Sequence, residues 1–144
     1  MKVIYYHPRF LTASFLGAYL HTRKNDAPIN MVKIEEILRG FKQEKPFTLY
    51  FGRGEKGEEV FLLNGACAED IIRKTVDSLL TVHGKNPAEL MLISPLSGRH
   101  IFLIFAEALR ISSIKEAAYR YYLTEIKAAV ERSLLQLQIY KTKG

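Results

Sequence analysis

An apolar strand that leads through a short turn into an apolar helix constrains the fold of this chain more than any other feature. Residues 3–6 (VIYY) are β-branched or aromatic, which is typical of a strand buried on both faces of a sheet. The helix predicted over 11–21 is apolar around most of its circumference, so we expect it to be buried as well. Together they form the first half of a β-α-β unit, which predicts an α/β fold.

Two helices and a hairpin are predicted next. One helix covers 31–41, with Ile34, Ile37, Leu38 and Phe41 as its apolar stripe. Two β-prone runs, 47–51 and 59–63, flank a glycine-rich polar link and predict a hairpin. No helix follows these glycines directly, so the link is a turn and not a dinucleotide fingerprint. A third helix is predicted over 68–82. The side chains expected to face the core are Ile71, Ile72, Val76, Leu79 and Leu80.

A second strand–turn–helix unit follows. The run LMLI at 90–93 predicts a buried strand, and an apolar helix is predicted over 99–109. The pattern from 114 to 140 is helical, although the tyrosines within 114–122 also suit an edge strand. The chain is thus predicted to form one α/β domain over 1–140, a mixed sheet with parallel core strands, one hairpin and helices on both faces, followed by a frayed end at 141–144.

Composition narrows the class of protein. The 144 residues are 48% hydrophobic and 25% charged, which suits one folded domain with a single core. No apolar run approaches the roughly 20 residues that cross a bilayer, and the first apolar run is too short for a signal peptide. Cys67 is the single cysteine, so no internal disulfide can form. We therefore expect a cytoplasmic protein without a membrane partner.

The net charge of +6 comes from both ends of the chain. Residues 1–45 and 99–144 each hold twice as many basic as acidic side chains, and a fold that joined them would attract phosphate groups. A cluster near Lys115 and Arg120 has the aromatic side chains that stack on nucleic-acid bases, namely Tyr119, Tyr121 and Tyr122. No recognised module surrounds this cluster and no block of five like charges occurs, so nucleic acid is not a favoured partner.

The candidate site lies at the two predicted strand-to-helix turns. Ligands of open α/β sheets bind beyond the carboxyl ends of the parallel strands, so neighbouring first and fourth strands would bring both turns to one crevice. Arginines, hydroxyls and helix N-termini there suit an anion such as a phosphate-bearing small molecule, and histidines add acid–base groups. The candidate residues are His7, Arg9, Thr12, Ser14, Ser94, Ser97, Arg99 and His100.

These residues also have structural interpretations. Thr12 and Ser97 can cap helices, and His7 can close a strand end, without any ligand. The first turn lacks the glycines that let a phosphate approach the backbone, which makes it a degenerate phosphate-binding turn. A ligand there would be held by side chains, with Arg9 and Ser14 among them.

The sequence gives less support to a cysteine-phosphatase site and to a metal site. Cys67 and Arg73 have the cysteine-x5-arginine spacing of cysteine phosphatases, but Glu69 and Asp70 would place negative charge beside the phosphate. A buried or helix-capping cysteine is the preferred interpretation. No pair spacing typical of zinc ligands occurs among His7, His21, His83, His100 and Cys67, so no metal is predicted.

The segment IYYH at 4–7, followed by a turn and by the residues TAS at 12–14, resembles the start of a family of small bacterial proteins. That family is catalogued only as a domain of unknown function and is typical of Gram-positive, often spore-forming bacteria. The likeness in length and element order runs along most of the chain and is most specific over 4–14.

The resemblance to this family implies a role for only a few residues of this chain. Family members usually have a cysteine and paired glycines directly after the histidine, where this chain has Pro8, Arg9 and Phe10. A ligand role is therefore carried over only to His7 and Ser14. The resemblance also implies that 114–122 forms a fifth strand, and it implies no known activity and no cofactor.

Three functions stay open at this stage. The first is a non-catalytic anion- or nucleotide-binding or interaction module, with the C-terminal helix as a surface for homodimerisation. The second is an enzyme acting on phosphate esters or nucleotides through the two strand-to-helix turns. The third, less favoured, is a basic nucleic-acid-binding protein.

Overall fold

A computed structural model of the chain describes residues 1–7, 9–22, 31–42, 47–64, 69–96 and 100–143. The strands in these residues are β1 (Lys2–Tyr6), β2 (Phe47–Arg53), β3 (Glu59–Asn64) and β4 (Leu90–Ile93). The α-helices are α1 (Leu11–Thr22), α2 (Met31–Lys42), α3 (Glu69–Val82), α4 (Ile101–Leu109) and α5 (Ser112–Lys143). A 3-10 turn at Pro87–Glu89 precedes β4.

The four strands form one mixed sheet in the order β2-β3-β1-β4. β1 is parallel to both of its neighbours, with Lys2 opposite Glu59 on one side and opposite Leu90 on the other. β2 and β3 form the antiparallel hairpin that the glycine-rich link predicts. The predicted fold class is confirmed, and so is the adjacency of the first and fourth strands on which the candidate crevice depends.

Helices cover both faces of the sheet because side chains alternate along β1. Val3 and Tyr5 pack with Ala18 of α1 and with Val130 and Leu137 of α5 on one face. Ile4, Tyr6 and Leu92 pack on the opposite face, where Ile72 of α3 contacts them. A strand with apolar side chains on both faces, such as β1, needs this double covering.

A glycine lets α1 approach the sheet closely. A Cβ atom at Gly17 would lie 2.7 Å from Cδ1 of Tyr5 and 3.3 Å from Cβ of Pro95, in the turn after β4. A Cβ atom essentially never lies closer than 3.0 Å to a heavy atom to which it is not bonded. The close contact therefore depends on the missing side chain, and it seats the middle of α1 against β1 and the β4–α4 turn.

The segment 114–122 is helical and belongs to α5, so the fifth strand implied by the family resemblance is wrong. Ala118 and Tyr119 are buried against the core at a helical spacing from Ile126, and burial at this spacing outweighs the strand preference of tyrosine. Residues 141–143, expected to fray, continue the same helix.

The predicted inward face of α3 is also partly wrong. Ile71 and Leu79 are more than half exposed, whereas Ile72, Val76 and Leu80 are partly buried. Helical periodicity identifies an apolar stripe, but how much of it is covered depends on the width of the surface beneath it. Within the described residues, no helix is both long and apolar enough to cross a membrane.

Candidate functional site

The carboxyl ends of β1 and β4 lie side by side. Tyr5 pairs with Ile93 in the parallel register, so His7 and Ser94 follow the two strands at nearly the same level. This is the edge of an open sheet at which ligands usually bind. The two strand-to-helix turns that carry the candidate residues therefore begin at the same edge of the sheet.

His7 holds the first turn together. Its Nδ1 accepts hydrogen bonds from the backbone N–H of Arg9 at 3.1 Å and of Phe10 at 2.8 Å. Its ring also lies against the Phe10 ring, with 5.0 Å between the centroids. Because Nδ1 is an acceptor, the neutral imidazole carries its proton on Nε2. The side chain of Arg9 is exposed at the rim of the turn.

Two of the predicted hydroxyls serve the fold. Ser94 Oγ donates to the carbonyl oxygen of Leu96 at 2.9 Å and stabilises the chain directly after β4. Thr12 is buried near the hydroxyl of Tyr119, which donates to Glu107 Oε1 at 3.1 Å. Two further candidates, Ser97 and Arg99, lie outside the described residues.

Ser14 and His100 differ from the other candidates because they are buried with an unpaired polar atom. Ser14 is fully buried and His100 is 4% exposed. Within the part of the chain that the structure describes, Ser14 Oγ and His100 Nε2 have no hydrogen-bond partner. An unsatisfied buried polar group costs about 1–3 kcal/mol, so these are the two candidate residues whose polar atoms the described fold leaves unsatisfied.

Both groups lie beside the turn that follows β4. Ser14 is one helical turn before Gly17 and on the same face of α1, and that face approaches Pro95. His100 directly precedes α4, where its side chain makes no capping hydrogen bond. Its ring packs edge-on against Tyr122, with 4.7 Å between the centroids.

A second polar cluster, which sequence reasoning missed, lies under the last turn of α1. His21 Nδ1 is 2.8 Å from the hydroxyl of Tyr5, and His21 Nε2 is 2.6 Å from Glu58 Oε1. The Tyr5 hydroxyl also contacts Ser133 Oγ at 3.4 Å. All four side chains are buried. We call Tyr5, His21, Glu58 and Ser133 the buried network.

The hairpin turn builds the acidic end of this network. The backbone N–H of Lys56 donates to Glu58 Oε2 at 3.0 Å, and the N–H of Gly54 donates to the Glu58 carbonyl at 2.9 Å. A Cβ at Gly54 would overlap the Glu58 carboxylate and lie 3.0 Å from Cδ2 of His21. The glycine-rich link therefore has a second role besides turning the chain, since it makes room for a buried carboxylate.

The electrostatics of the buried network favour a charged Glu58 and a neutral Tyr5. Burial opposes ionisation of Glu58, but hydrogen bonds from His21 and from backbone N–H groups outweigh it and hold the pKa of Glu58 below its ordinary value. Burial raises the pKa of Tyr5 far above that of a free tyrosine. Each of these groups has a partner and none reaches solvent, so the network stabilises the fold.

The remaining sequence hypotheses are placed as follows. Cys67 lies outside the described residues, and Arg73 donates from α3 to the carbonyl of Leu92 at 3.4 Å. Tyr119 is fully buried whereas Tyr121 is exposed, so the three tyrosines do not share one surface on which bases can stack. No group of histidine, cysteine and acidic side chains suited to a metal ion occurs among the described residues.

The fold defines a small α/β protein with a mixed four-stranded sheet in which two parallel strands, β1 and β4, end side by side. The chain belongs to the DUF3189 family, described as proteins of unknown function, whose profile matches residues 2–129. The family assignment suggested by the first strand, turn and helix is confirmed. No curated protein and no solved structure matches the chain.

Proposed function

We propose that the protein is a cytoplasmic binding module for a small phosphate-bearing anion, held in the crevice between the ends of β1 and β4. The observation that carries the proposal is the pair of buried atoms without a described partner, Ser14 Oγ near the start of α1 and His100 Nε2 directly before α4. Arg9 supplies positive charge at the exposed rim.

The chemistry of the two atoms suits an oxyanion. A serine hydroxyl donates one hydrogen bond, and an imidazole that carries a proton on Nε2 donates another. Donors that are buried before the ligand arrives need no solvent removed from them on binding, which favours a buried anion over one held by exposed side chains. In this proposal His7 and Ser94 shape the crevice by holding its two turns, and they do not contact the anion.

Thermal unfolding with and without inorganic phosphate, and then with nucleoside phosphates at constant ionic strength, tests the proposal. A ligand that binds only the folded protein stabilises it by about 2.7 kcal/mol at a concentration a hundred times its dissociation constant, so the melting temperature rises. Ser14→Ala and His100→Gln should remove most of this rise. Ser113→Ala and His83→Gln are matched controls at exposed positions and should leave it unchanged.

Two results would overturn the proposal. If no phosphate compound raises the melting temperature of the wild-type protein, the crevice is not an anion site. If the wild-type protein hydrolyses a generic aryl phosphate and Ser14→Ala or His100→Gln abolishes that hydrolysis, the protein is an enzyme on phosphate esters and the binding module is the wrong class.

A further inference from the structure

Helix α4 presents a large apolar surface to solvent. Ile101 is 72% exposed, and Phe102 and Phe105 are each more than 60% exposed. Three further apolar side chains continue this surface along α4 and onto the first turns of α5. We define the α4 patch as the exposed residues Ile101, Phe102, Phe105, Leu109, Ile111 and Tyr121.

The fold uses only the other side of this helix. Leu103 and Ala106 are the fully buried residues of α4 and belong to the main core. A helix that is apolar on nearly all sides is usually buried on all sides, because exposed apolar surface is unfavourable in water. The α4 patch is therefore unusual for the outer surface of a monomer.

The size of the α4 patch matches half of a protein interface. Three aromatic and three aliphatic side chains at these exposures present roughly 600–800 Å² of apolar surface. The largest patch on a typical monomer is about 300–600 Å², and a stable complex buries about 800 Å² from each partner.

The chemistry of the patch favours a second copy of this chain. None of its six side chains is charged, so two copies related by a two-fold axis bring no like charges together at the centre. Both signs of charge border it, with Arg110 at the end of α4 and the pair Glu116–Arg120 at 2.6 Å on α5. A mixed rim suits a protein partner better than an anionic membrane or a nucleic acid, both of which select a uniformly basic rim.

We propose that two copies of the chain associate through their α4 patches, with α4 packed against its symmetry mate. The surface is thus α4 and the start of α5, and not the far end of the C-terminal helix. Edge-to-face contacts join Phe102 to Tyr121 at 5.7 Å and Tyr121 to Tyr122 at 5.0 Å. These rings hold the patch in a fixed shape before association, which reduces the entropy lost on binding.

Sedimentation velocity over a range of protein concentrations tests the dimer. The wild-type chain should show a species of twice its mass of 16.5 kDa that increases with concentration. Phe105→Glu should raise the dissociation constant roughly a hundredfold, because a charge replaces an aromatic anchor at the centre of the interface. Val82→Glu is the matched control, since Val82 is 80% exposed on α3, and it should leave the dissociation constant unchanged.

Three outcomes would overturn this inference. The wild-type protein could stay monomeric at every concentration. Alternatively, Leu135→Glu with Ile139→Glu, at exposed positions near the end of α5, could dissociate the dimer while Phe105→Glu does not. Finally, the wild-type protein could co-sediment with anionic phospholipid vesicles and lose this binding in Phe105→Glu, which would assign the patch to a membrane surface. Far-UV circular dichroism of each variant checks that the fold is intact.

Discussion

This protein has two groups of buried polar side chains, and they differ in whether their polar atoms have hydrogen-bond partners. The buried network under the end of α1 joins Tyr5, His21 and Glu58 by hydrogen bonds of 2.6–2.8 Å, with Ser133 alongside. At the proposed anion site beyond β1 and β4, Ser14 and His100 are just as inaccessible, yet each has a polar atom without a partner among the described residues.

This difference distinguishes buried groups that stabilise the fold from buried groups that are suited to bind a ligand. A buried group whose hydrogen bonds are all satisfied by the protein has little left to offer a ligand, even when it contains a histidine and a carboxylate. A buried group without a partner destabilises the empty protein and gains when a ligand arrives. The buried network has the composition of an active site, whereas Ser14 and His100 have the unmet hydrogen bonds on which the proposed anion site rests.

The largest effect is expected from breaking the buried network at its acidic end. Glu58→Ala leaves His21 buried without its carboxylate and should lower the free energy of unfolding by about 3–5 kcal/mol. Urea unfolding measures this loss. Glu131→Ala removes an exposed carboxylate from α5 and should change the free energy by less than about 0.5 kcal/mol. Equal effects of the two substitutions would mean that the buried network contributes no more than a surface charge.

A smaller loss is expected from filling the space that Gly54 leaves for the carboxylate. Gly54→Ala would place a methyl group on Glu58 and should destabilise the protein by about 1–3 kcal/mol through overpacking. In a Glu58→Ala background the same methyl group has room, so most of its cost should disappear. A double-mutant cycle by urea unfolding measures this coupling, and strictly additive losses would show that Gly54 acts through the turn backbone alone.

Acid should remove part of the stability that the buried network supplies. The pKa of Glu58 is lower in the folded protein than in the unfolded chain, because its hydrogen bonds outweigh the effect of burial. Its contribution is therefore complete above the unfolded pKa of about 4.3 and is lost as the pH falls through the folded pKa. The free energy of unfolding of the wild type should exceed that of Glu58→Gln at neutral pH, and the difference should shrink in acid. A difference that stays constant with pH would contradict this assignment.

Local sequence patterns were sufficient to predict most of the fold. The apolar runs at 3–6 and 90–93 predict β1 and β4, and the glycine-rich link predicts the hairpin of β2 and β3. The adjacency of the first and fourth strands was only a hypothesis from the sequence, and the parallel register of β1 and β4 confirms it. The position of the candidate site depends on that pairing. The strands and the hairpin depend on residues that are close in sequence, and the place of the candidate site depends on rules that apply to all open α/β sheets.

The features that the sequence did not predict depend on contacts between distant residues. His21 and Glu58 are separated by 37 positions, and only the folded hairpin turn brings the carboxylate under α1. The exposed side of α4 has the same apolar composition as its buried side, so periodicity alone does not distinguish the α4 patch from core. The Gly54 turn was the one local signal for the buried network, since a glycine without a strained backbone indicates close packing.

The smallest changes in the free energy of unfolding are expected from the two buried serines. They test the comparison most directly, because each group of buried polar side chains contains one serine. Ser133 donates to the Val130 carbonyl at 2.6 Å and contacts Tyr5, so Ser133→Ala should lower the free energy of unfolding by about 0.5–1.5 kcal/mol. Ser14 has no such partner, so Ser14→Ala should leave the free energy unchanged or raise it by up to about 1 kcal/mol. Both substitutions remove one oxygen from a buried helical position, which makes differences in helix propensity and cavity volume small. Urea unfolding without added anion measures the pair, and a loss at Ser14 as large as that at Ser133 would mean that the crevice is as well satisfied as the network.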